Sequence, residues 1–322
     1  MSNGERDPDE VECRPDPGGP GVEVLGPREV PLGGPRAMTV RRTLPQRDRS
    51  LIGAWCFADH YGPDDVADTG GMVVAPHPHI GLATVSWLFT GEVEHRDSLG
   101  THAVVRPGEV NLMTAGRGVS HSEISLPTTT VLHGAQLWVA LPERARDGAP
   151  SFAHHAPEPL AGDGWRASVF LGSLLGVTSP VATATPLLGA ELVLDPGAVL
   201  ALEVDPSYEH GVLVDTGAVD VAGTAVAQHE LAYAAPGAAR LTLAAGAEGA
   251  RVLLLGGPPF GEPIVMWWNF VGRTHDEVVT AREDWQAQVG EGQQADGRFG
   301  VVSAMPPIPA PALPRVRLRT RS

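Results

Sequence analysis

The 322-residue chain contains no lysine; apart from histidine, every basic residue is arginine. That excludes a phosphate-binding loop of the Gly-Lys-Ser/Thr type and any lysine Schiff base. Cysteine is nearly absent as well, with only Cys13 and Cys56. They form no C-x-x-C and no zinc-finger spacing, which excludes disulfide scaffolds and cysteine-ligated metals. Cys56, in the apolar GAWCFAD, reads as a small core residue. Positive charge is scarce: the net charge of −15 repels phosphate backbones, so no direct nucleic-acid partner is expected. The one basic stretch, RVRLRTRS with Arg315, Arg317, Arg319 and Arg321, reads as a solvated end. No apolar run approaches the roughly 18 residues that span a bilayer, so no membrane partner is expected. MSNGERDPDEVE is too acidic and polar for a signal peptide, and a cytoplasmic protein is expected.

What is present is β pattern. Short runs rich in Val, Leu, Trp and Thr, such as ATVSWLFTG, VLHGAQLWVALP, AELVLDPG and ARVLLLGG, are punctuated by Gly, Pro and Asp. This spacing predicts an all-β protein of barrels or sandwiches. LFTGEVEHRDS followed by VVRPGEVNLMTAG echoes LVDTGAVDVAG followed by AVAQHELAYAAPG, which suggests a duplicated β unit. The expected layout is an acidic disordered arm over 1–20, a first barrel over 21–146 and a second over 147–272. A helix over 273–290 and a Pro/Arg-rich, disordered tail over 291–322 follow. The helix rests on capping-box spacing at Thr274 and Glu277 and on Val278, Ala281, Trp285 and Val289 at helical intervals, with Gly290 as the stop.

APHPHIGLAT, residues 75–84, carries two histidines two apart, each preceded by proline. Residues i and i+2 of a strand share a face, so His77 and His79 project together. VSHSEIS repeats the device: His121 and Glu123 share one face and Ser120 and Ser122 the other. A carboxylate among apolar strands is costly unless it is paired or coordinated. Three imidazoles and a carboxylate suit Fe(II), Mn(II), Ni(II), Cu(II) or Zn(II). Other residues read as structural. His95, Arg96 and Asp97 fit a polar hairpin turn, Gly116–Gly118 a tight turn, and Trp267 and Trp268 barrel packing. Val85 and Trp87 share the parity of His79 and line the pocket if no bulge intervenes; for Trp87, simple core packing is an equally good reading.

HPHIGLATVSWLFTGEVEHRDSLG, RPGEVNLMTAGRGVSHSE and GEPIVMWWNFVGRTHDEVVTAREDW resemble the pirin family, within the bicupin branch of the cupins. Gly71, five residues, then His77-x-His79 is similar to the cupin opening. The resemblance covers roughly residues 22–290. It implies two cupin-type β-barrels face to face and one metal, most often iron, held in the first by His77, His79, His121 and Glu123. The second barrel is expected to lack a metal, with His210 and His229 as ordinary barrel histidines. Family pirins often read H-P-H-R-G-F-E where this chain has Ile80, Leu82 and Ala83; the exchange is expected to alter the metal's surroundings. The resemblance implies two functions. One is a quercetin 2,3-dioxygenase-like oxidoreductase that takes a flavonol and O2, with Glu123 accepting the substrate proton. The other is an iron-dependent redox sensor that binds a transcription factor or a metabolic enzyme.

Overall fold

The structure, a computed structural model, describes residues 11–13, 21–32, 38–68, 71–290, 297–302, 305–314 and 318. Its architecture follows from strands that are apolar on both faces. In Leu82–Thr90, Leu82 and Leu88 point into the first barrel. Ala83, Val85 and Trp87 point the other way, into a cluster shared with Phe170, Leu213 and Leu253 of the second half. Val131–Ala140 does the same, with Leu132 and Trp138 inward and Ala135, Leu137 and Val139 in the shared cluster. From the other side, Arg240–Gly257 gives Leu253 and Leu255 to the seam and Val252 and Leu254 to its own barrel. The period of two thus builds two β-sheet domains face to face over one apolar seam.

The first domain pairs a seven-stranded sheet with a four-stranded one. The latter runs in the order Val73–His79, Val119–Ser125, Val93–Asp97, His102–Val105. The second domain is a nine-stranded sheet. The chain crosses between them. Val22–Leu25 pairs with Leu231–Ala234 of the second sheet. Past the second domain, Phe270 bridges back to Ile80 of the first. Contiguous stretches of sequence therefore do not separate the two domains cleanly.

Polar groups also join the domains. Asp215 Oδ1 accepts from His60 Nε2 and His133 Nε2, each at 2.6 Å, and Asp215 Oδ2 accepts from Arg251 Nε at 2.5 Å. His60 and His133 belong to the first domain, and Asp215 and Arg251 to the second. Asp215 is buried, and burial pushes its carboxyl up; the hydrogen bonds and charges of His133 and His60 outweigh this and hold it well below the usual range.

The expected helix is present as His275–Gly290, with Val278, Ala281 and Trp285 buried. Thr274 Oγ1 accepts the Glu277 N–H at 3.2 Å, the forward half of a capping box. The reverse half differs: Glu277 Oε2 accepts from Arg273 N at 2.8 Å and from Arg146. The expectation of a disordered tail is corrected for residues 297–302 and 305–314. Phe299 is fully buried against Trp285 and Phe270, Ile308 N donates to Pro76 O at 2.8 Å, and Trp285 Nε1 donates to Ile308 O. The apolar residues among the prolines find a face of the helix to cover, and prolines leave few N–H groups needing partners. Within the acidic arm, Val11–Cys13 forms a strand with Ile264–Met266, a correction for those three residues. Apart from Leu318, the rest of both tails, the arginines at 315, 317, 319 and 321 included, lies outside the described residues. Among the described residues no helix is long and apolar enough to cross a membrane.

Candidate metal centre

Three neighbouring strands place the candidate residues. In the four-stranded sheet Val119–Ser125 lies between Val73–His79 and Val93–Asp97, with His121 opposite His77 on one side and Asp97 on the other. A register shift between His121 and Glu123 leaves Glu123 opposite Val74 on one edge and His95 on the other. His77, His79 and His121 have no exposed surface, and Glu123 is 2% exposed. One ring nitrogen from each of the three histidines lies within 4.8 Å of the others.

Backbone carbonyls assign the tautomers. A carbonyl only accepts, so His77 Nδ1 donates to Ala75 O at 2.9 Å and His79 Nδ1 donates to Asn269 O at 3.1 Å. Both Nε2 atoms are then bare lone pairs. Among the described residues His77 Nε2 is buried without a hydrogen-bond partner, and His79 Nε2 lies 3.1 Å from His121 Nε2. Ligands held about 2.1 Å from a common ion at right angles stand about 3 Å apart, so this spacing fits a divalent cation. Burial also keeps the rings neutral. It drives His77 and His121 well below their usual pKa, with the neighbouring histidines adding to the effect, and pushes His79 down to about 3. Neutral imidazole is the form that binds metal.

Glu123 approaches from the same strand. Its Oε1 is 3.3 Å from Ser86 Oγ, which donates more closely to Gln136 Oε1 at 2.9 Å. Trp138 stands edge-on to His79 and stacks on Phe57 at 4.1 Å, an apolar wall against water.

Several residues sit elsewhere than expected. Trp87 and Val85 do not line this site: Gly81, at φ 66°, breaks the parity between Val73–His79 and Leu82–Thr90. Trp87 instead stacks on Phe170 across the seam and donates Nε1–H to Glu191 at 2.8 Å; Ser86 takes the inward place. Ala83 lies in the seam cluster, so a small residue there changes inter-barrel packing, while Leu82 packs with Trp138 behind His79. His95 lies in the strand Val93–Asp97, buried beside His121, rather than in a turn; Asp97 ends that strand and opens the hairpin turn, where its carbonyl accepts from Gly100 N at 3.1 Å. Arg96, on the other face, pairs with Glu94. The i, i+2 spacing of H-R-D was a signal for this, the same one that singled out His77 and His79. The Asn269 carbonyl had no signal, since any residue supplies one. A surface cleft of about 400 Å³ between Gly116, Arg146, Thr280 and Arg298 includes none of the four candidate ligands.

Comparison with known proteins follows this geometry. Residues 37–139 match the Pirin family and residues 189–290 the Pirin C-terminal cupin domain. A Pseudomonas aeruginosa protein, provisionally named a quercetin 2,3-dioxygenase, is 46% identical over 290 residues, 89% of each chain. The crystal structure of quercetin 2,3-dioxygenase from Acinetobacter baumannii superposes with a TM-score of 0.84 at 37% identity, covering 92% of this chain and 96% of that one. The Escherichia coli bacterial pirin YhhW, solved in complex with nickel(II), shares the fold at 17% identity and a TM-score of 0.58, covering 74% of this chain and 99% of that one.

Proposed function

The chain belongs to the pirin family, and from that premise we propose that it is a non-haem iron dioxygenase acting on quercetin-like flavonols. The observation that carries the metal is the convergence of bare, buried Nε2 atoms, at 3.1 Å between His79 and His121 and unpartnered at His77. His77, His79, His121 and Glu123 would hold one divalent ion, Fe(II) first, with Mn, Ni, Cu or Zn as alternatives. The substrate class comes from relatives named as quercetin 2,3-dioxygenases at 46% and 37% identity.

The bound metal would supply the coupling between an electron-rich flavonol ring and O2 that cleaves the ring and releases carbon monoxide. The protein's own groups do the rest. Glu123 accepts the proton of the flavonol 3-hydroxyl at a carboxylate oxygen. Ser86, which donates first to Gln136, lies beside Oε1 of that carboxylate without holding it tightly. Trp138 and Leu82 exclude water from the histidine side.

Oxygen uptake by Fe(II)-loaded protein given quercetin tests the reading, with His121→Ala as control. Uptake with carbon monoxide release, absent in the control, is expected. No uptake from protein shown to hold iron would remove the flavonol reading.

A second reading has its own observation. All four candidate ligands are at most 2% exposed, so the site is sealed in this conformation. A sealed iron suits a redox sensor that binds a transcription factor or metabolic enzyme. Partner affinity that changes with the iron's oxidation state, without turnover, would favour it.

A further inference from the structure

We propose that His95 and Asp97 are positioning residues for the metal centre, forming a relay in which a buried carboxylate acts on His121 through a second imidazole. The proposal rests on the preceding reading of His121 Nε2 as a metal ligand.

The hydrogen bonds fix the direction of the relay. Asp97 Oδ1 accepts the N–H groups of Leu99 at 2.9 Å and Thr101 at 3.0 Å, which anchor the carboxylate to the hairpin. Its other oxygen, Oδ2, lies 3.2 Å from His95 Nε2. A carboxylate only accepts, so His95 Nε2 carries the proton and, in a neutral ring, His95 Nδ1 is a bare lone pair. That lone pair faces His121 Nδ1 at 3.4 Å, a long contact that is satisfied only if His121 Nδ1 is the donor. His121 Nε2 is then deprotonated, and it points at His79 Nε2 and the His77 ring. Two bare nitrogens 3.1 Å apart repel each other unless a cation lies between them.

His77 and His79 have their tautomers set by neutral carbonyls, of Ala75 and Asn269. Among the described residues, His121 alone of the three is tied, through His95, to an anionic group. A carboxylate behind a ligating histidine orients the ring and raises its basicity. The relay therefore makes His121 the strongest donor of the three and favours the more highly charged state of the ion. The His95 ring is 3% exposed and covered by Phe152, with centroids 4.9 Å apart, so water does not take its place.

A rival arrangement exists, because nitrogens of His95 and His121 and an oxygen of Glu123 also lie within 4.8 Å of one another. His95 could then be a ligand itself. Three variants separate the two: Asp97→Asn, which can keep its acceptor for Leu99 and Thr101, His95→Phe, which fills the space, and His95→Gln, whose amide offers an acceptor to His121 and a donor to Asp97.

The measurements are Fe(II) affinity by competition with a chromogenic chelator and the potential of the bound iron by spectroelectrochemical titration. Circular dichroism checks the fold of each variant. Asp97→Asn and His95→Phe are expected to hold one iron per chain with roughly 10–100-fold lower affinity and a more positive potential. His95→Gln is expected to recover part of both. Unchanged affinity and potential in Asp97→Asn and His95→Phe overturn the relay alone. Folded His95→Phe and His95→Gln that both fail to hold iron overturn it in favour of His95 as a ligand. A wild-type chain that takes up no metal overturns the metal centre, and the relay with it.

Discussion

Two backbone carbonyls, of Ala75 and Asn269, hold the Nδ1 protons of His77 and His79 and so turn their Nε2 lone pairs inward. Removing one of these rings removes a proposed ligand. His77→Ala is expected to lower bound metal from about one ion per chain to near none, measured by elemental analysis after desalting. His229→Ala, half-exposed in the second barrel, is expected to leave that stoichiometry unchanged. Gly81 is a second sensitive position. Its φ is 66°, and a Cβ there would meet the Val271 carbonyl oxygen at 2.1 Å. Gly81→Ala is expected to cost more than ~1 kcal/mol, read as a lower Tm. At this scale the spacing of His77, His79, His121 and Glu123 was legible, because the strand period fixes which side chains share a face. The carbonyl that orients His79 was not, because it arrives from 190 residues further along the chain.

Among the elements, the helix His275–Gly290 was the most legible, since its cap and its apolar spacing are local. Thr274→Ala is expected to destabilise the protein by about 1 kcal/mol in chemical denaturation. The segment after the helix was misread. Its prolines suggested loose chain, yet Phe299, Ile308 and Ala310 pack on the helix and on the strand that carries His77. Proline content reports the absence of donors and says nothing about burial. A chain cut after Gly290, the last residue of the helix, is expected to expose Trp285 and Phe270, read as increased binding of a hydrophobic dye and a lower Tm. The strand Val93–Asp97 was misread in the same way: a polar E-H-R-D was given to a turn, although its parity matched the neighbouring strands.

Across the whole molecule, the seam between the barrels joins apolar burial to the Asp215 cluster. The Asp215 carboxyl is held below its unfolded value, so it stabilises the fold above about pH 4 and loses that contribution as pH falls further. His60 acts in the same sense. Burial is the main cause that lowers its pKa, so the folded ring stays neutral while the unfolded ring protonates below about pH 6.5. His229, pushed down to about 4 by burial, adds to this. Stability is expected to decline from about pH 6.5 downward and more steeply below about pH 4, measured by urea denaturation at a series of pH values. Asp215→Asn is expected to cost about 3 kcal/mol at pH 7, with the difference from wild type narrowing below about pH 4.

The sequence by itself determined the fold class, the duplicated β pattern, the helix and the four residues proposed to hold the metal. Each of these is written in a short period: two for strands, 3.6 for the helix, i and i+2 for ligand pairs. Tertiary structure alone decided that Trp87 and Ala83 serve the seam, that His60, His133, Asp215 and Arg251 meet across it, and that Asn269 and Asp97 govern the tautomers of histidines proposed to hold the metal. The physical reason is that buried polar groups must find partners wherever the packed chain brings them, and that choice depends on which sheets meet rather than on neighbours in sequence.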